Sequence, residues 1–320
     1  MRTHGAKNVT HTKRVSAIGT SFGFGFRVGH WTDASARTGC TVILPPRGNV
    51  GACDIRGSSP GERELASLHV DRRLTEVHAV LLTGGSAFGL AAADGVMSWL
   101  EERGIGHSTS LGVVPIVPTA VIFDLGVSEP GVRPGPREGR AACEAATEED
   151  IATGLVGAGT GATVGKWAGP QFAAPGGLGI ATATSGSLRV SAVAVVNAVG
   201  DVLNADGTVL RGTRNPDPAY RLLEPAAGAT SNTVLALVAT QGGLEKREVR
   251  FLAARGSDGI TTSVRPAHTR YDGDVVIAVA APGPRSSGGD LDVLGHLATE
   301  AVAAAVRSAV AGQEEAASIG

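Results

Sequence analysis

Apolar residues along the chain fall into short runs that end at proline, glycine or polar clusters. Residues 38–46 (TGCTVILPP) and 76–83 (EVHAVLLT) are two such runs, and their lengths and borders predict strands buried in the core. Residues 114–125 alternate between prolines in the manner of another strand. The polar stretch 56–64 (RGSSPGERE) is rich in turn formers and predicts a loop of the kind that often lines a site.

Apolar positions at helical spacing mark four helices. Ser86 is predicted to cap the first of them, whose periodic positions continue until Gly104. The same spacing predicts helices over 137–153, 244–254 and 289–311. The last two alternate with apolar strands, so the end of the chain forms a β-α-β-α unit.

From residue 162 to residue 209 several strands follow one another without helices. Asp206-Gly207 in this segment is a strong hairpin signal. Runs of strands with helices at the edges predict stacked sheets covered by helices, in place of one parallel sheet with alternating crossovers. Residues 211–231 are charged and rich in Pro and Gly, which predicts an exposed connector of unusual length.

The composition is typical of a tightly layered α/β protein. The 320 residues are 42% hydrophobic and include 46 glycines, which excludes global disorder and favours close approach of backbones. A formal net charge of −2 gives no basic field, so a nucleic-acid partner is not expected. The N-terminus is polar and no run of 18 apolar residues occurs, so we expect a cytoplasmic protein without a membrane partner.

Metal and cofactor chemistry has little support in the sequence. The eight histidines are scattered, and the three cysteines form no CxxC, so no metal site is expected. The run AGTGATVGKW resembles a phosphate-binding loop but has Thr160 and Trp167 at two defining positions, so no nucleotide cofactor is expected. Lys166 in this run is either a snorkelling surface residue or a positive charge beside a buried reaction centre.

Three polar residues stand at the ends of apolar strands. Asp272 and Asp274 precede VVIAVA two residues apart, so their carboxylates could converge on one side of an extended backbone. A polar turn is the simpler explanation of this pattern. Asn197 interrupts an apolar strand, which makes it either a structural hydrogen-bond hub or a donor to a developing oxyanion.

The segment SNTVLALVAT places Thr233 at the first position of an apolar strand, directly after the long connector. If the Asn232–Thr233 bond were cut, Thr233 would supply both a hydroxyl nucleophile and an α-amino base. Asn-Thr is also a common turn-to-strand junction, so the dipeptide alone leaves both interpretations open.

Eight segments resemble one family of self-processing hydrolases and follow one another in the family order. They run from about residue 20 to residue 280 and include VGHWTDASARTGCTVILPP, VLLTGGSAFGLAAADGVMSWLEERG, GATVGKWAG and RPAHTRYDGDVVIAVA. The chain is similar to the self-processing β-aminopeptidases, L-aminopeptidase/D-esterases and nylon-oligomer hydrolases. Collinear similarity of this length is more specific than any single motif.

The resemblance implies an α/β (α+β) fold. The expected architecture is a four-layer α-β-β-α sandwich of the N-terminal-nucleophile type, formed from one self-cleaved precursor. The cut would leave an α fragment, residues 1–232 with the connector 211–231, and a β fragment, residues 233–320, of the same domain. The two fragments would stay together, and the assembly would be a homotetramer or larger.

The resemblance also assigns the site. Thr233 would be nucleophile and α-amino base, with Lys166, Asn197, Asp272 and Asp274 in supporting positions. Asp272 and Asp274 would hold the Thr233 hydroxyl and ammonium, and Asn197, aided by Lys166, would donate to the oxyanion.

A pocket beside these residues would involve Phe123 and the run Gly84, Gly85 and Ser86. Characterised members have a tyrosine near the position of Phe123, so one oxyanion hydrogen bond would be missing in this chain.

The implied substrates are small peptides, β-amino-acid amides or 6-aminohexanoate (nylon) oligomers, hydrolysed through an acyl-Thr intermediate without a cofactor. The Asn-Thr junction is closer to the nylon-oligomer hydrolases than to the Gly-Ser junction of the aminopeptidase/esterase branch. Two alternatives stay open. One is acyl transfer of the ornithine-acetyltransferase type, and the other is a non-catalytic binding protein that retains the fold.

Overall fold

A computed structural model of the chain describes the backbone of residues 14–16 and residues 21–218, 232–285 and 287–311. The helices within these ranges are α1 (Ala92–Glu101), α2 (Pro136–Glu144), α3 (Lys246–Ser263) and α4 (Gly288–Val310). The strands are β1 (Arg14–Ser16), β2 (Arg27–Asp33), β3 (Thr38–Leu44), β4 (Val50–Ile55), β5 (Glu62–Arg63), β6 (Val80–Thr83), β7 (His107–Thr109), β8 (Gly112–Val114), β9 (Thr119–Val121), β10 (Thr163–Val164), β11 (Ala174–Pro175), β12 (Gly177–Ser185), β13 (Leu188–Asn197), β14 (Asp201–Leu203), β15 (Val209–Arg211), β16 (Thr233–Gln241), β17 (Val264–Arg265) and β18 (Val275–Ala281).

Two sheets form the body of the structure. The larger sheet has six strands in the order β1-β12-β13-β16-β18-β4, and the second has five in the order β2-β3-β6-β9-β5. Within the larger sheet β16 is antiparallel to β13 and parallel to β18. The strand that begins at Thr233 therefore lies in the middle of the larger sheet.

Side chains of alternate strand residues separate two cores. On β13, Ala192 and Ala194 belong to the core shared with α3 and α4, while Val193 and Val195 belong to the core between the two sheets. A third core joins the five-stranded sheet to α1 and α2. The layers are therefore α3/α4, the six-stranded sheet, the five-stranded sheet and α1/α2.

Small residues allow these layers to approach closely. A Cβ atom at Gly179 of β12 would lie 2.1 Å from the Ala305 carbonyl oxygen of α4, so only glycine fits at this crossing. By length and hydropathy α4 could cross a membrane, but 67% of its apolar window is buried inside the fold. This burial is what a core helix requires.

The predicted strands over 38–46 and 76–83 correspond to β3 and β6. The Asp206-Gly207 hairpin joins β14 to β15, with the Gly207 N–H donating to the Asn204 carbonyl (3.0 Å). Over 114–125 regular strand is limited to Val114, which ends β8, and to β9, because Pro115 and Pro118 lack the N–H that a ladder needs. The described part of the connector is 211–218, and residues 219–231 lie outside the described residues.

Three helix predictions differ from the structure. Ser86 does not cap a helix: Gly85 in a left-handed conformation precedes a 3-10 helix, Ser86–Ala91, and α1 begins after it. The helix predicted over 137–153 ends at Glu144, because Thr147 pairs with β2.

The helix predicted over 244–254 continues to Ser263 as α3. Gly256 and Gly259 lower its helical propensity but pack against the sheet and α4, so tertiary contacts extend the helix.

Candidate functional site

Sheet pairing gathers the predicted site residues around the start of β16. Thr233 lies opposite Asn197, the last residue of β13, and Asn232 forms a parallel bridge with Asp272, just before β18. Thr233 is only 6% exposed. Sheet pairing therefore brings together polar residues at the ends of three neighbouring strands, β13, β16 and β18.

The Asn232–Thr233 peptide bond lies in a specific hydrogen-bonded environment. The Thr233 hydroxyl donates to the Asn232 carbonyl oxygen at 2.5 Å, and the Gly273 N–H donates to the same oxygen at 2.8 Å. The Asn232 side-chain nitrogen is buried without a hydrogen-bond partner among the described residues. The nucleophile candidate thus lies beside the carbonyl that self-cleavage would attack.

The two aspartates have different partners. Asp274 Oδ1 accepts from the Val234 N–H (2.7 Å), and its Oδ2 accepts from the backbone N–H of His268 (3.1 Å) and lies 2.7 Å from His268 Nδ1. Asp272 Oδ2 accepts from the Thr269 N–H (2.7 Å). In the uncut chain the Thr233 hydroxyl is bound to its own upstream carbonyl, so the predicted contact of the aspartates with this hydroxyl is not present in this state.

Lys166 and Asn197 form a pair. Lys166 Nζ donates to the Asn197 carbonyl (3.0 Å) and to its Oδ1 (2.9 Å), and the Thr163 N–H donates to the same Oδ1 (3.0 Å). Asn197 Nδ2 donates to the Phe123 carbonyl (3.2 Å). Backbone hydrogen bonds of Gly165 and Trp167 to the residues that follow β13 hold the lysine turn in place.

The charged groups around Thr233 have shifted pKa values. Burial lowers the pKa of Lys166 to about 7, although the nearby Asp272 carboxylate opposes this. Burial and the Asp274 charge raise the pKa of Asp272 to about 6. Burial opposes protonation of His268, but the hydrogen bond and charge of Asp274 outweigh it and raise its pKa. The pKa values of Lys166 and Asp272 are therefore both shifted towards neutral pH.

A pocket of about 120 Å³ opens beside the Asn232–Thr233 bond. It is lined by Ser59, Pro60, Gly61, Ser86, Ala87, Val121, Phe123, Asn232 and Thr233. The segment predicted as a loop over 56–64 thus reaches the site through Ser59, Pro60 and Gly61, whereas its residues 62–63 form β5. Phe123 and Ser86 are among the residues that line this pocket.

The residues that line this pocket do not include Gly84 or Gly85. Both are buried against Asp124, whose Oδ1 accepts from the Gly85 N–H (2.7 Å). The Thr38 hydroxyl donates to the other carboxylate oxygen (2.7 Å). This arrangement fixes the turn that presents Ser86.

Sequence reasoning did not assign His268, Thr163, Gly273 or Asp124 to the site. His268 lies only six residues before Asp274 in the same loop, which is the one signal that could have indicated it. The others act through backbone N–H groups or through long-range contacts that no local pattern marks. Across the described residues no three His, Cys, Asp or Glu side chains are grouped to hold a metal ion.

The sequence comparisons agree with the resemblance. The model of Peptidase family S58 matches residues 24–319. An uncharacterized aminopeptidase of Mycobacterium bovis is 43% identical, with 80% of this chain and 79% of the relative covered. A 6-aminohexanoate-oligomer endohydrolase of Paenarthrobacter ureafaciens is 32% identical, with 85% of this chain and 80% of the relative covered.

Two solved structures have the same fold at low sequence identity. A β-aminopeptidase of Burkholderia sp. superposes with a TM-score of 0.68 at 20% identity, covering 91% of this chain and 88% of that chain. An L-aminopeptidase D-Ala-esterase/amidase of Ochrobactrum anthropi, described as a variant of the Ntn hydrolase fold, superposes with a TM-score of 0.69 at 16% identity, covering 92% and 85%. The expected four-layer sandwich of the N-terminal-nucleophile type is confirmed.

Proposed function

This chain belongs to Peptidase family S58, and from this premise we propose that it is a self-activated amidohydrolase whose nucleophile, Thr233, is released by a cut after Asn232. One observation carries the proposal: the Thr233 hydroxyl lies 2.5 Å from the carbonyl oxygen of the bond to be cut. The neighbours of this bond, Asp272 and Asn197, carry the ionisable and amide groups that such chemistry needs.

Self-cleavage would take two steps. First, the Thr233 oxygen bonds to the Asn232 carbonyl carbon, the peptide C–N bond breaks, and the hydroxyl proton ends on the Thr233 nitrogen. One water molecule then hydrolyses the ester, which restores the hydroxyl and leaves a carboxylate on Asn232. The products are residues 1–232 and 233–320.

We assign the proton acceptor of the first step to Lys166. A lysine with its ordinary pKa could not accept a proton near neutral pH, but burial lowers the pKa of Lys166 to about 7. The neutral amine donates its two hydrogens to the Asn197 carbonyl and Oδ1, which leaves its lone pair available to accept a proton. The predicted role of Lys166 thereby changes from a permanent cation to a proton carrier.

After the cut, Thr233 supplies its own base. A free α-amino group has a pKa of roughly 7.7–8.0, so it can take the proton of the hydroxyl when a substrate carbonyl is attacked. The acyl-Thr ester formed in this way is hydrolysed by water, as in self-cleavage. Because β16 is hydrogen-bonded to β13 and β18 is hydrogen-bonded to β4, the sheet would hold the two fragments together.

The proposed substrates are amides with unhindered ends: small peptides, β-amino-acid amides and 6-aminohexanoate oligomers. The pocket of about 120 Å³ beside Thr233 suits a slender acyl group. The two relatives are named for an aminopeptidase and for an oligomer endohydrolase. Hydrolysis of matched β-alanyl, α-L-aminoacyl and 6-aminohexanoyl amides by the matured protein would rank these classes.

Denaturing electrophoresis and N-terminal sequencing test the self-cleavage. We expect purified protein to separate into two fragments, the smaller one beginning Thr-Val-Leu-Ala, while a Thr233→Ala variant stays whole. Thr233→Ser, which keeps a hydroxyl, is the matched control and should still be cut. Wild-type protein that remains one intact band after long incubation would refute the proposed function.

A further inference from the structure

The Asn232 carbonyl oxygen receives two hydrogen bonds in the uncut chain. One comes from the Thr233 hydroxyl, which must give up its proton to become the nucleophile. The other comes from the Gly273 N–H at 2.8 Å, which has no other part in the reaction. When negative charge develops on this oxygen, the Gly273 N–H is already directed at it.

We propose that the Gly273 N–H is the oxyanion donor of the self-cleavage step. Its distance of 2.8 Å lies within the range of about 2.7–3.1 Å required of such donors. The inference rests on the proposed function, because it names the group that stabilises the transition state of that cut.

In the uncut chain, the two oxyanion donors predicted from the sequence, Asn197 and Lys166, donate to other acceptors. Asn197 Nδ2 donates to the Phe123 carbonyl, and Lys166 Nζ donates to Asn197. The structure therefore gives the scissile carbonyl a backbone donor where the sequence predicted a side-chain amide.

The Gly273 N–H is held rigidly. The neighbouring carbonyls of Asp272 and Asp274 accept from the N–H groups of Ser59 (3.0 Å) and Gly57 (3.2 Å) in the loop 56–64. A donor fixed in this way needs little reorganisation when the charge appears, which is what makes an oxyanion donor effective.

Only glycine fits at position 273, because atoms of Ser59 and Thr233 lie close to where a Cβ atom would be. A Cβ atom there would lie 2.7 Å from the Ser59 carbonyl oxygen and 3.0 Å from the Thr233 hydroxyl oxygen. Any side chain would press on the nucleophile and on the loop, so an alanine substitution would not isolate the N–H. The test must remove the N–H and leave the shape unchanged.

Glycolic acid in place of Gly273, introduced by cell-free translation with a chemically charged suppressor tRNA, replaces this N–H by an ester oxygen. Gly207 is the matched control, since it also follows an aspartate and its N–H donates to a backbone carbonyl at 3.0 Å. We expect self-cleavage to slow about 100-fold with the ester at 273 and to stay within about threefold of wild type with the ester at 207. Circular dichroism and the melting temperature of both variants confirm folding.

Cleavage of the folded position-273 ester at the wild-type rate would overturn the inference and leave the proposed function intact. Failure of wild-type protein to cut itself would refute the proposed function instead.

If the ester prevents folding, amide hydrogen exchange of the whole Thr233→Ala chain provides a second test. Labelling aspartate carbonyl carbon and glycine nitrogen leaves four Asp-Gly signals, those of Gly95, Gly207, Gly259 and Gly273. We expect the Gly273 amide to exchange at least tenfold more slowly than that of Gly207, because Gly273 is buried in its hydrogen bond. Exchange of Gly273 as fast as that of Gly207 would contradict the inference.

Discussion

Lys166 and Lys246 both donate to carbonyl oxygens inside the fold, and burial lowers the pKa of both, yet their surroundings differ. Lys246, at the start of α3, donates to three backbone carbonyls, those of Ser67 (2.9 Å), Arg72 (3.1 Å) and Leu74 (2.6 Å). All three hydrogens of its ammonium group are used to tie α3 to a loop.

Lys166 has a different set of neighbours. Its two hydrogen bonds go to one residue, Asn197, which lies opposite the candidate nucleophile, and the Asp272 carboxylate acts on its charge. A buried lysine is therefore not by itself a mark of chemistry. What distinguishes Lys166 is that both of its hydrogen bonds go to the residue opposite the candidate nucleophile, which supports its proposed role as the proton acceptor.

Lys166→Met should have the largest effect on self-cleavage. Without the proton acceptor we expect the cut to slow by about 100-fold or more, measured by the appearance of the two fragments over time. Lys246→Met is the control and should be cut at the wild-type rate below its melting temperature. Equal rates in wild type and Lys166→Met would show that the two lysines are equivalent and that our assignment is wrong.

Of the two lysine substitutions, Lys246→Met should lower the stability more than Lys166→Met. It leaves three carbonyl oxygens without their donor, so we expect the free energy of unfolding to fall by about 2–3 kcal/mol. Urea unfolding in the Thr233→Ala background, where no cut interferes, measures this. In the same background Lys166→Met should change the free energy of unfolding by less than about 1 kcal/mol. A larger loss in Lys166→Met than in Lys246→Met would contradict the structural role assigned to Lys246.

The pH dependence of self-cleavage should follow the protonation of Lys166 and not that of Lys246. Only neutral Lys166 accepts a proton, so with a pKa of about 7 the rate should rise with pH through neutrality. We expect a roughly tenfold lower rate at pH 6 than at pH 8, and the same profile in Lys246→Met. A rate that falls with pH over this range would exclude Lys166 as the acceptor.

Local sequence patterns sufficed for much of the fold. The runs of strand residues predicted β3, β6, β13, β16 and β18, and the order of strands and helices predicted stacked sheets covered by helices. Apolar alternation and turn residues are local signals, so they can be recognised without knowing which strands pair. The polar residues at strand ends, above all Thr233 with Asn197, were recognisable for the same reason.

Which groups meet depends on the tertiary structure, and so do the pKa shifts of the buried groups. The extension of α3 depends on glycines that fit against α4, and the Gly273 N–H reaches Asn232 through a bridge between segments 40 residues apart. The pKa of Lys166 depends on burial, which the sequence does not contain. A sequence specifies side chains and local propensities, whereas hydrogen-bond direction and desolvation arise only when distant segments pack together.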